Sequence, residues 1–211
     1  MSWQYIVANQ WRVVPKSMHY FGMPIQSHEQ ASKDYWSEVE ALGFPDIQKK
    51  YDWEVLYYVS EKSGHGSAIL ICIDPDNPTI NGKRVAFDLW VQEKRKPATE
   101  NEKEGPPLLT IVPHCRTPNP SHVYTDSHRI GFIQQWSLKE LGEKAFARCL
   151  SLKRFIIHSG PNCHTFIARF IFIDLGMKRN IKKEVKRKST IAYLTLSQAF
   201  EGIRLPKGDC C

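Results

Sequence analysis

Residues 67–91 read SAILICIDPDNPTINGKRVAFDLWV, and this stretch decides the fold. Ser67 to Asp74 is a strongly apolar run. Pro75, Asp76, Asn77 and Pro78 break it, and Asn81–Gly82 is a turn pair. Arg84 to Val91 then reads as a returning strand. Two strand-like runs joined by turn residues predict an antiparallel β-hairpin with a long loop.

Working outward, Trp53 to Ser60 (WEVLYYVS) also has strand composition. Before it, Ser27 to Leu42 predicts a helix. His28, Ala31, Tyr35, Val39 and Leu42 approximate a 3.6-residue period, and Gly43 follows as a stop. Gln4 to Val14 is a further candidate strand. Downstream of the hairpin, residues 92–107 (QEKRKPATENEKEGPP) are charged and proline-containing, the composition of an exposed loop. Leu108 to Pro113 is a short strand, and His114 to His128, with Pro118 and Pro120, reads as a loop. Ser137 to Leu150 predicts an amphipathic helix opened by a Ser137/Glu140 capping box, with Leu138, Leu141, Ala145 and Leu152 on one side. Lys153 to His158 is a possible strand, Ser159 to Asn162 a turn, and Cys163 to Leu175 a helix closed by Gly176. Strands and helices in this order give an α+β class, an antiparallel sheet packed on the cysteine-bearing helix.

Composition bounds the function. The chain has 211 residues, 42% hydrophobic and 11% aromatic, enough for a sizeable core and against wholesale disorder. No stretch approaches the roughly 20 apolar residues of a membrane span, and the first twenty residues lack the pattern of a secretory signal. The net charge is +7, yet much of it sits in Lys178, Arg179, Lys182, Lys183, Lys186, Arg187 and Lys188, against one acid, Glu184. That is a local patch rather than a generally basic chain. The six cysteines, Cys72, Cys115, Cys149, Cys163, Cys210 and Cys211, form no CxxC pair, so reduced thiols are expected and a zinc site is disfavoured. No cofactor is expected, and the expected setting is the cytoplasm, with peripheral membrane contact as an option.

Two places carry chemistry: Gly64-His65-Gly66-Ser67 opening a strand, and Gly160-Pro161-Asn162-Cys163-His164-Thr165-Phe166 opening a helix. A thiol at a helix N-terminus feels unpaired backbone N–H groups and the positive end of the macrodipole, which lower its pKa from about 8.5. An imidazole on a neighbouring strand can take the proton and return it to a leaving group. The Asn-Cys-His-Thr-Phe segment resembles the cysteine motif of circularly permuted papain-like thiol hydrolases, the NlpC-type superfamily with its lecithin:retinol acyltransferase-like and PPPDE groups. The resemblance covers roughly residues 55–176. It implies a permuted papain-like fold in which the catalytic histidine comes first, on a strand, and the cysteine about a hundred residues later; His65 and Cys163 stand in that order. It also implies a polar residue on the next strand to orient the imidazole, for which Asp88 is the candidate. Gly66 departs from the bulkier residue the resemblance leads one to expect.

The implied activity is acyl transfer through a cysteine thioester, by a hydrolase or acyltransferase acting on an amide, isopeptide or lipid acyl bond. The partner would be a protein or lipid acyl substrate. Cys163 is the nucleophile, His65 the base and acid, and Asp88 the orienting group. Asn162 and the Cys163 backbone N–H are candidate oxyanion donors. Plainer readings stand beside these: a buried structural thiol, a strand-edge histidine, an aspartate turned to water. His114 is a rival base. His158 and His164 flank Cys163, but His164, adjacent on the helix, is expected to face elsewhere. The alternative function is a non-enzymatic binding or regulatory module of the same fold. The division expected is an N-terminal extension packed on the body over 1–54, the permuted papain-like thiol hydrolase domain over 55–176, and a basic segment with its Cys-Cys tail over 177–211.

The basic run reads as solvated surface, as a contact for an anionic membrane or, less well, for nucleic acid. Cys210-Cys211 resembles doubly prenylated C-termini of trafficking GTPases, although the chain has no P-loop; S-acylation is another route to lipidation. Basic residues near an anionic surface contribute about 1 kcal/mol each. The chain should therefore sediment with anionic vesicles at low salt and be released at high salt. Equal recovery in the supernatant with neutral and anionic lipid would remove the membrane reading.

Overall fold

A computed structural model describes residues 23–25, 28–59, 65–94, 108–118, 127–152, 154–155 and 163–177. The candidate strand over 4–14 lies outside them. In chain order the elements are β1 (Met23–Pro24), α1 (His28–Ala41), β2 (Lys50–Val59), β3 (Gly66–Ile73), β4 (Arg84–Lys94), β5 (Leu108–Arg116), β6 (Ser127–Ser137), α2 (Leu138–Ser151), β7 (Arg154–Phe155) and α3 (Cys163–Arg169). A π-helical turn, Phe170–Asp174, continues α3. The molecule is α+β, built on a five-stranded antiparallel sheet of order β5-β4-β3-β2-β6.

The hairpin forms the middle of this sheet. β3 and β4 pair with Leu70 opposite Val85 and Ala68 opposite Phe87, and Gly82, with φ of 79°, takes the left-handed turn position that glycine reaches without strain. β3, the central strand, is buried along nearly its whole length, which is why its sequence is continuously apolar rather than alternating. The period of two still sorts the two faces. One face presents Trp53, Val55 and Tyr57 of β2, Ala68, Leu70 and Cys72 of β3, Val85, Phe87, Leu89 and Val91 of β4, and Ile111 and Cys115 of β5. Phe166, Ile167, Phe170 and Ile171 of α3 and its π turn pack there, with Phe87 and Phe170 ring centroids 5.3 Å apart. Ala31, Tyr35 and Val39 of α1 and Leu138, Leu141 and Ala145 of α2 complete this core. Among the described residues, the opposite face carries a small apolar cluster of Tyr58, Ile69 and Ala86.

α1 also caps the edge strand β5. The Cys115 N–H donates to Glu38 Oε2 at 3.0 Å, so an unpaired strand donor is satisfied by a helix carboxylate. β1 adds a parallel bridge, Ile25 to Ile111, and pairs with β7 in a separate two-stranded sheet.

Several boundaries differ from expectation. β4 runs to Lys94, three residues into the charged stretch, and β5 runs to Arg116, past Pro113. Pro113 is accommodated because β5 is an edge strand, where a missing donor breaks no internal ladder. β6 occupies residues read as loop or left unread. Its pattern is obscured by register shifts against β2 and by Gln135 at φ 57°, whose N–H donates to Asp52 Oδ1 at 3.0 Å. Residue 54 lies within β2, and α1 packs into the main core. Among the described residues, no helix is long and apolar enough to cross a membrane.

The turn from β6 into α2 is fixed by the capping box. The Glu140 N–H donates to Ser137 Oγ at 3.1 Å and the Ser137 N–H donates to Glu140 Oε2 at 2.9 Å. Ser137→Ala should lower the unfolding free energy by about 1 kcal/mol. Urea denaturation checks this; an unchanged midpoint would mean that packing alone fixes the turn.

Candidate active site

Asp88 lies in β4 between Phe87 and Leu89, and strand alternation turns it away from the helical face. It is nonetheless 1% exposed. Its Oδ2 accepts from Arg116 Nη2 at 2.8 Å and from Ser67 Oγ at 3.1 Å, and stands 3.5 Å from His65 Nε2. Burial alone would protonate this carboxyl. The Arg116 charge, then the hydrogen bond and charge of His65, reverse that and hold it well below the usual carboxylate range. Arg116 is itself fixed, its guanidinium lying over the Trp90 ring at 4.3 Å. The reading of Asp88 as a residue turned to water is therefore overturned.

His65 immediately precedes β3 and is 7% exposed. Its ring lies 5.0 Å from that of Trp90, and its Nε2 stands 3.5 Å from Asp88 Oδ2. Burial would strip its proton. The interactions with Asp88 and with Cys163 outweigh burial and push the imidazole from 6.5 up to about 9.

Cys163 is the first residue of α3 and is 4% exposed. Burial opposes its ionisation too. The charge and hydrogen bond of His164, then those of His65, overcome burial and hold the thiol well below its ordinary range. The three sequence-selected residues Cys163, His65 and Asp88 thus form one connected chain, in which the thiol is pushed toward its ionised form and the imidazole toward its protonated form, with a carboxylate behind.

His164 corrects the sequence reading. Expected to face away from the sulfur, it is buried beside it. The reason lies on the sheet: its Nδ1 is 2.5 Å from Tyr57 Oη, and a Cβ on Gly66 would come within 2.7 Å of the same nitrogen. Gly66, the departure from the family pattern, is the space into which this ring fits. Tyr57 itself gave no signal in the sequence beyond strand composition. Burial and the nearby Cys163 charge push its phenol well above 10.

His114, the rival base, is directed elsewhere. It stands opposite Asp88 across the β4–β5 ladder, with Nδ1 2.5 Å from Glu38 Oε1. Asn162, His158, the basic residues from Lys178 to Lys188, and Cys210 and Cys211 lie outside the described residues. Among the described residues, no group of three or more histidine, cysteine or carboxylate side chains could hold a metal ion.

The other described thiols are pushed the opposite way. Burial raises Cys72 and Cys149 to about 12, and burial with the Glu38 and Asp88 charges raises Cys115 well above its ordinary value. The thiolate is the alkylated form, so iodoacetamide should modify Cys163 first among these four. Its rate should level off at a lower pH than that of an ordinary thiol, while the other three respond only at strongly alkaline pH. Peptide mapping after brief exposure across pH 6–9 checks the order; Cys72, Cys115 or Cys149 reacting first at pH 7 would overturn the charge assignment. No family model, curated protein or solved structure matches this chain.

Proposed function

We propose that this chain is a cysteine-dependent acyl-transfer enzyme of the circularly permuted papain-like kind, working through a thioester at Cys163. The observation that carries the reading is the connected Cys163–His65–Asp88 chain, assembled from a helix start and two adjacent strands. A thiol, an imidazole and an orienting carboxylate are the parts that nucleophilic catalysis requires.

The Cys163 thiolate attacks the carbonyl carbon of an ester or amide, and the carbonyl electrons move to oxygen. The first backbone N–H groups of α3 have no partner within the helix and can meet that oxyanion. The intermediate collapses as the carbon–heteroatom bond breaks, and the His65 imidazolium gives its proton to the leaving group. Neutral His65 then takes a proton from water or another acceptor, which attacks the thioester and releases the acyl group and the thiolate. Asp88 stays ionised throughout and keeps Nε2 of His65 turned toward it, leaving Nδ1 for the sulfur. A hydrolase and a transferase differ only in the acceptor.

A second reading, a binding module on the same fold, draws on one observation. Cys163 and His65 are enclosed, at 4% and 7% exposure. One experiment separates the two. The protein is incubated with activated acyl esters of short and long chain length, and intact-mass spectrometry follows the adduct. An enzyme shows a transient acyl adduct on Cys163, absent in Cys163→Ala. His65→Ala should slow its formation by about 10²- to 10⁴-fold, the usual worth of a positioned acid–base. A chain that alkylates at Cys163 but forms no acyl adduct with any ester is the binding module.

A further inference from the structure

Cys163 is approached by two imidazoles, and the mechanism above uses one. His164 is 7% exposed, its Nδ1 lies 2.5 Å from the Tyr57 hydroxyl, and it follows Cys163 in the first turn of α3, both side chains buried. Tyr57 is completely buried in the sheet and cannot swing away. The backbone of Gly66 closes the other side, with room for a hydrogen but not for a methyl group. A ring clamped between a strand phenol and a strand glycine, next to the thiol in sequence, has one orientation available.

We infer that Tyr57 and His164 form a second dyad at the thiol, in which the Tyr57-held imidazole is a positioning residue that hydrogen-bonds the Cys163 sulfur independently of His65. The two imidazoles are then distinct in kind. His65 is backed by a carboxylate and is suited to carry a proton to and from substrate. His164 is backed by a phenol that stays protonated well above neutral pH, and its place in the mechanism is to fix the sulfur. Among the described residues, the charged and titratable groups facing the sulfur are His65, His164 and the Tyr57 phenol; Asp88, with Arg116 behind it, acts through His65. Gly66 is required because any side chain there evicts the His164 ring.

The inference concerns the ionisation of the thiol rather than acyl transfer, so its test reads alkylation and is separate from the test of the proposed enzyme. Iodoacetamide rates at Cys163 are measured against pH in the full chain and in Tyr57→Phe, His164→Gln, His65→Ala and the combined His65→Ala/Tyr57→Phe variant. A hydrogen bond to a charged group corresponds to about one pH unit. His164→Gln should raise the alkylation midpoint by about that much, making Cys163 about tenfold slower below both midpoints. Tyr57→Phe should shift it in the same direction by less. His65→Ala alone should leave part of the depression in place, and adding Tyr57→Phe should remove more of it. His164→Gln and Tyr57→Phe break the same contact from opposite ends, so either one that keeps the wild-type melt decides the matter. Profiles that superimpose on wild type, or a shift seen only while His65 is present, would overturn the inference.

Discussion

An ionised carboxylate with 1% of its surface exposed is the constraint on which the site depends. Placing such a charge away from water costs on the order of several kcal/mol unless donors and positive charge surround it. Asp88 meets the condition through Arg116, Ser67 and His65, which come from β5, β3 and the residue that opens β3. The register of the three strands is thus written into the electrostatics, because slipping one strand by a residue would turn its partner to the other face. Arg116 in turn needs Trp90 as a platform, and His114 next to it needs Glu38 of α1. On this side of the sheet Asp88, Arg116, Trp90, His114 and Glu38 thus link β4, β5 and α1 through polar and ring contacts.

Much of the fold was legible because the decisive signals are local. The apolar run of β3, the Asn81–Gly82 turn, the Ser137/Glu140 box and the period of α1 each reflect contacts made within a few residues, and each appears where expected. β6 was not legible because its residues satisfy a partner instead of a pattern. Gly131 and the bulge at Gln135 break the alternation that a reader would count, and the bulge is stabilised by Asp52 from another strand. The extension of β5 past Pro113 was hidden for a related reason, since only the knowledge that β5 is an edge makes a proline tolerable there.

Within the site, Cys163, His65 and Asp88 could be singled out because each is chemically out of place in its segment: a thiol after Gly-Pro-Asn, an imidazole between glycines, an acid inside an apolar strand. Their supports could not. Arg116, Ser67, Trp90 and Tyr57 look ordinary in their own strands and matter only through register. His164 was misjudged by applying helix-surface geometry to a first-turn residue that packs against a sheet. Gly66 was the one available hint, since an unexpected glycine next to a candidate histidine marks a place where something large comes close.

The change from α to π geometry after Arg169 separates two jobs that one helix would otherwise couple. Cys163–Arg169 sets the direction of the nucleophile and its neighbouring ring against the sheet. The far end is anchored by a two-pronged bond in which Arg148 Nε and Nη2 reach Asp174 Oδ2 and Oδ1 at 2.7 and 2.6 Å. In an unbroken α-helix each residue adds about 100° of rotation, so the two ends would have to agree in phase. The wider turn over Phe170–Asp174, seen in the Leu175 N–H reaching Phe170 O at 3.0 Å, absorbs the mismatch. Length changes inherited in this segment would therefore dissipate in the slack of one turn, and the chemistry at the other end can be conserved while the joint to α2 drifts.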